Sequence, residues 1–325
     1  MLIKILRAHQ PLIMFVIPLL ALVLGWADFV HPIAILPALP GTGPLGQVIL
    51  NLFSQNLTIA TIFACMVVVF QAFFVNHIFN TNELTVRNTF IPAICYLIVA
   101  SILPHQYQLT APLLSTTFIL FALQRIFQAF NNGSYQGGCL ETGLYISIAG
   151  LLYTPHSLFL VFVIAGILIL RPFSFREVLL ILFGFFLPYI YLILYRFWYG
   201  HHLIGQDFQE YLHLPNNGFT WPNTLSITPL IGIGFVVLVA LYFSFTRSIE
   251  LGARSIQHRG RIAVMRLMTA VALLILLVTK QPSFACFFTL FIPLVFWTSA
   301  YFIWAKKTWF AEILLWLSLL ILIFR

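Results

Sequence analysis

Long apolar runs separated by short polar breaks set the pattern of this chain. The runs fall at 11–28, 47–76, 89–104, 111–128, 140–154, 157–171, 177–197, 226–245, 265–280, 284–304 and 309–324. Within each, apolar residues follow one another continuously. A barrel strand alternates lipid-facing and lumen-facing positions, so the pattern predicts helices. In lipid every backbone polar group must find its partner within its own segment, and a crossing helix needs about 20 apolar residues, sometimes about 17. The 47–76 run exceeds one simple crossing and is polar in its middle, at "NLFSQNLT", so its start is read as a tilted or interfacial piece. The 140–154 run is short. The expected fold is an all-α polytopic transmembrane helix bundle of about eleven spans, nine at the fewest. It forms one integral membrane domain over 1–325, with no soluble domain.

The polar breaks carry orientation. With the N-terminus inside and the spans alternating, the outer side receives only Arg196, Lys280 and Arg325. Thirteen of the 16 cations then fall inside. Short cytoplasmic loops hold an excess of Lys and Arg, so the N-terminus is expected in the cytoplasm of a bacterial inner-membrane protein, and the C-terminus in the periplasm. Lys4 and Arg7 ahead of an apolar run also begin a secretory signal, but no clear small-x-small cleavage site follows, and a retained first helix is expected. The longest inner loop, "TRSIELGARSIQHRGRIAVMR" at 246–266, carries Arg247, Arg254, Arg259, Arg261 and Arg266. Such a cluster anchors to anionic headgroups or docks a partner. The longest outer segments are 29–46, rich in Pro and Gly, and 198–223, where Trp198, Tyr199, Tyr211 and Trp221 suit a membrane interface.

Composition sharpens this picture. The chain is 61% apolar and 7% charged, with a mean hydropathy of +1.01, whereas soluble domains carry about 25% charged residues. The net charge of +8 does not indicate nucleic acid, because the basic residues are scattered among short loops. Cys65, Cys95, Cys139 and Cys286 are far apart and form no CxxC pair, so neither a zinc site nor a disulfide framework is expected, only buried thiols.

Chemistry has few candidates. Asp28, Asp207 and Glu210 face outward in this topology, and so do His31, His105, His156, His201, His202 and His213. Carboxylate and imidazole together ligate divalent metals and exchange protons near neutrality. No acid sits clearly at mid-span, which counts against an ion-coupled transporter. The inner stretch "QRIFQAFNNGSYQGGCLETG", 124–143, is glycine-rich but lacks the P-loop pattern. Arg125 and Glu141 at its flanks are placed to pair across two helix ends.

A series in the middle of the chain carries a resemblance. "LLYTP" is followed by an apolar span, "RPFSFRE" and "FGFFLPY". Over about residues 120–200 this resembles an uncharacterised family of multi-pass inner-membrane proteins of the Bacteroidota. More distantly the chain is similar to GT-C-type glycosyltransferases, which use polyprenyl-phosphate-linked sugars and carry a catalytic acid just past the first span. Asp28 occupies that place, although the usual paired acid is absent from Asp-Phe-Val-His. The resemblance implies sugar transfer at the outer face for envelope glycan assembly. Asp28 would be general base or ligand of a divalent metal, assisted by His31, Asp207 and Glu210, and Asp28→Asn would abolish function without unfolding the chain. Two rivals stand beside it: a non-catalytic membrane subunit docked through the arginine loop, and a lipid or solute transporter.

Overall fold

The computed structural model describes residues 13–31, 41–84, 89–102, 106–129, 136–198, 256–278 and 284–304. The expected segments 226–245 and 309–324 lie outside them, as do Asp207, Glu210, Arg247 and Arg254.

The described residues form eleven α-helices and two short 3-10 turns. In chain order the helices are α1 (Ile13–Leu24), α2 (Trp26–Val30), α3 (Pro44–Phe53), α4 (Leu57–Thr81), α5 (Ile91–Ser101), α6 (Ala111–Ala129), α7 (Gln136–Leu152), α8 (Phe159–Leu170), α9 (Phe175–Trp198), α10 (Ile256–Val278) and α11 (Phe288–Trp304). The 3-10 turns are Thr154–Leu158 and Phe284–Phe287. Residues 57–81 and 175–195 are long and apolar enough to cross a membrane by length and composition. The other apolar helices, such as α1, α5 and α11, are shorter.

The breaks have local causes. "NLFSQNLT" divides the long run into α3 and α4, with Ser54 folding its hydroxyl back onto the Asn51 carbonyl. Pro44 and Pro92 open α3 and α5 within the first turn, where the missing N–H costs nothing. Helix α4 ends in a Schellman turn: the Leu84 N–H donates to the Phe79 carbonyl at 3.0 Å and the Glu83 N–H to Asn80 at 3.3 Å. Glu83 takes the left-handed position, φ +50°, where glycine is the usual occupant.

Packing centres on α5 and α6. Every residue of α5 is buried, and α6 contacts α4, α7, α8 and α11. Helix α4 buries one face, through Ala60, Ala64, Val68, Ala72, Val75 and Phe79, at the three- and four-residue spacing of a helix. The tightest seam joins α7 to α9. There Gly143 faces the Ile181 carbonyl and Gly184 faces the Leu140 carbonyl, each so close that a Cβ would fall under 3.0 Å from the oxygen. Small residues that let backbones approach drive helix association where no hydrophobic force is available.

The outer surface inverts the soluble rule. Phe15, Leu19 and Val23 on α1, Val48 and Leu52 on α3, and Phe183, Phe186, Ile190 and Leu194 on α9 are all exposed. Apolar surfaces this extensive are rare on soluble monomers. The two ends differ as well. One joins the C-terminal ends of α4, α6 and α8 to the N-terminal ends of α7, α9 and α10, and it carries the ion pairs Arg125–Glu141 at 2.7 Å and Arg171–Glu177 at 3.5 Å. The opposite end holds Asp28 and a set of neutral polar side chains.

Candidate functional site

Asp28 lies in α2, the short helix that follows the turn at Gly25. The residue is 8% exposed, and its carboxylate is engaged. Its Oδ2 accepts the backbone N–H of Tyr107 at 3.1 Å, and Tyr107 donates its hydroxyl to the Ala21 carbonyl at 2.6 Å. The Tyr107 ring fills the place that a Cβ on Gly25 would take and lies 5.6 Å from the ring of Phe29. The acid and the tyrosine together fasten the loop before α6 to the end of the first apolar run. His31 closes α2, its N–H on the Ala27 carbonyl, and its side chain is exposed. Asp207 and Glu210 lie outside the described residues. Among the described residues, no three of His, Cys, Asp and Glu gather where they could hold a metal ion.

A second polar group lies at the same end, and in the sequence only one outer histidine, His156, marks it. His156 sits in the 3-10 turn between α7 and α8, outside the 140–154 and 157–171 segments, and is fully buried. Its Nδ1 meets Ser115 of α6, and its Nε2 lies 2.7 Å from the Thr289 hydroxyl of α11. Ser115 donates to the Ala149 carbonyl at 3.1 Å. A hydroxyl has one proton, so the chain runs one way: Thr289 donates to His156, His156 to Ser115, and Ser115 to the α7 backbone. A serine nucleophile needs its proton on the histidine. Here that proton goes to a carbonyl, and all three side chains are at most 2% exposed. The group therefore ties four elements together: α6, α7, the 3-10 turn and α11. Tyr153 and Cys286, 3.1 Å apart, extend the tie, and burial pushes the His156 imidazole down to about 3. None of the four cysteines forms a disulfide, and all four are buried.

Deeper in the bundle, Gln71 of α4 is a fully satisfied hub. Its amide donates to the Leu113 carbonyl and to Thr117 Oγ1, each at 2.8 Å, and its Oε1 accepts the Tyr96 hydroxyl at 2.6 Å. Three helices are joined through one buried side chain. A glutamine after the wholly apolar stretch 62–70 of α4 was the signal that could have found it.

At the charged end, the Arg125–Glu141 pair forms across the α6–α7 junction as the flanks of 124–143 suggested. The arginines of 246–266 that the structure describes separate. Arg261 is buried and donates to the Asn82 carbonyl at the end of α4. Burial pulls its guanidinium below the ordinary value, and the nearby Glu83 carboxylate opposes that shift. Arg259 and Arg266 are exposed.

These observations define a class: an all-helical bundle with apolar outer faces, neutral polar ties inside and at one end, and ion pairs gathered at the other. The model of a family of unknown function, DUF6427, matches residues 41–325, and the chain belongs to that family. Neither the curated proteins nor the solved structures contain a match.

Proposed function

We propose that the chain is a multi-pass protein of the bacterial inner membrane and acts as a non-catalytic membrane subunit of an envelope assembly. The observation that carries the second part is the bond at Asp28. Its carboxylate is buried and accepts a main-chain N–H from the loop before α6. An acid so engaged acts as a strut between helix ends. The membrane part is supported by the exposed phenylalanines and leucines of α1 and α9, by two helices of crossing length, and by the charge bias of the topology expected from the sequence, in which 13 of the 16 cations fall on one side.

The rival reading is transfer of a sugar from a polyprenyl-phosphate carrier, with Asp28 as base or metal ligand and His31, Asp207 and Glu210 assisting. Asp28→Asn separates the two. An asparagine still accepts the Tyr107 N–H, but a neutral acceptor is worth about 1 kcal/mol less than a charged one. The strut reading expects slightly lower thermal stability, normal complementation of a deletion strain and unchanged membrane partners. Loss of complementation in a stable, correctly inserted Asp28→Asn protein would refute it in favour of the enzyme.

A further inference from the structure

Helix α9 meets α7 in two different ways along its length. In the half nearest the charged end the contact is backbone on backbone, with Gly143 against the Ile181 carbonyl and Gly184 against the Leu140 carbonyl. Glu177, Ile181, Gly184 and Phe185 are buried there, at the three- and four-residue spacing of one helix face. Past Phe185 the described side chains of α9 are half-buried or exposed. There α7 is met by a side chain, the Tyr189 hydroxyl, 2.7 Å from the place that a Cβ on Gly150 would take. Helix α7 ends at Leu152, just beyond Gly150, whereas α9 continues past Tyr189 to Trp198, roughly 13 Å further. The outer end of α9 is thus a lever that overhangs α7.

Pro188 stands where the contact changes. It has no N–H for the Gly184 carbonyl, and its ring presses on that carbonyl. Prolines are where helices bend sharply, yet α9 is one unbroken helix from Phe175 to Trp198. Between Arg176 and Arg196 it rises about 30 Å, which is the thickness of a typical hydrocarbon core. In a thinner bilayer such a helix must tilt or kink. The interlocked glycines oppose a tilt of the inner half, because it would press one of them into the facing carbonyl. The compliant point that remains is the missing bond at Pro188. Beyond it, Tyr191, Tyr195 and Trp198 are all exposed, and such aromatic residues hold to the membrane interface.

We propose that Pro188 is a hinge that responds to bilayer thickness: residues 189–198 bend away from α7 as the membrane thins, while the glycine seam below stays closed. The proposal rests on the membrane reading above and adds a moving part to it. Bending lifts the Tyr189 hydroxyl off Gly150 and opens the outer part of the α7–α9 groove. Ser147 lies on that face of α7, between Gly143 and Gly150 at helical spacing, and its buried hydroxyl has no hydrogen-bond partner.

The test is double electron–electron resonance on the full-length protein in phosphatidylcholine liposomes with myristoyl, oleoyl or erucoyl chains. Spin labels are attached to cysteines that replace exposed residues, the native cysteines being buried. Phe197→Cys with Val161→Cys reads the outer ends of α9 and α8, and Leu179→Cys with Ile169→Cys reads their inner ends. A bend of about 20° at Pro188 carries residue 197 by about 5 Å. The outer distance is therefore expected to shift by up to about 5 Å between erucoyl and myristoyl bilayers, and the inner distance by less than about 1 Å. Pro188→Ala restores the N–H, and its outer shift is expected to fall below about 2 Å. An outer distance that ignores chain length overturns the proposal. So do inner and outer distances that move together, or a Pro188→Ala protein that shifts as wild type does. Flotation with the liposomes separates the two levels: protein left behind defeats the membrane reading, whereas floating protein with an immobile outer end defeats the hinge alone.

Discussion

The α7–α9 seam makes the sharpest demand on the sequence. Gly143 and Gly184 face each other's helices through backbone carbonyls, and a Cβ on either would fall under 3.0 Å from an oxygen. An alanine must therefore push the helices apart by roughly an ångström. The listening partner is backbone on both sides, so no rotamer change can relieve the clash. Insertion of a methyl group into a tight contact costs typically about 1–3 kcal/mol. The intrinsic helix preference of alanine over glycine returns at most about 1 kcal/mol. With that return in full, each single alanine is expected to destabilise by up to about 2 kcal/mol. The informative quantity is the double variant. Once the first alanine has parted the helices, the second finds part of its room already made, so the pair should cost clearly less than the two singles together. Neighbours that share a backbone shift couple in this way, by about 0.5–3 kcal/mol. The assay is reversible unfolding of the purified protein in mixed micelles, followed by circular dichroism. Strict additivity of the two substitutions would refute the reasoning, because it would mean that the glycines do not share one crossing. Two alanines as stable as wild type would refute it more directly.

Two further outcomes follow from the buried polar ties. Gln71→Leu leaves the Tyr96 and Thr117 hydroxyls without their amide partner; a loss of about 1–2 kcal/mol is expected in the same unfolding assay, with Tyr96→Phe costing less in that background than in wild type, and full additivity would show that the hub is not one unit. His156, pushed down to about 3, stays neutral in the folded protein while an exposed histidine titrates near 6.5, so its contribution is whole above about pH 6.5 and declines as pH falls towards 3, by about 1.4 kcal/mol per unit; between pH 7.5 and pH 5 wild type should lose about 2 kcal/mol more than His156→Asn, and equal losses would show that His156 is not the group responsible.

What could be read from the sequence depended on whether its cause was local. The crossing-length apolar runs and the break at "NLFSQNLT" follow from residue type within a few positions, and α4 and α9 appear where those runs lie. Boundaries set by distant partners did not show. Helix α4 continues to Thr81, past the end of its apolar run, because Asn80 closes a pair of bonds with the Thr89 backbone, 3.2 Å and 3.4 Å. The first run breaks at Gly25 because the ring of Tyr107 stands where a side chain would be. The arginines were half legible. Their number marks a charged end, and their helical phase already separates Arg261 from Arg259 and Arg266, but only the fold brings Asn82 up to Arg261. Asp28 is the limiting case. A carboxylate that meets a histidine, a metal or an arginine has a partner that can be searched for by residue type. One partner of Asp28 is a backbone N–H 79 residues away, and a main-chain donor belongs to every residue except proline. An acid in an apolar chain therefore looks catalytic in the sequence whether it holds a substrate or a loop, and the difference lies in which donor the fold delivers to it.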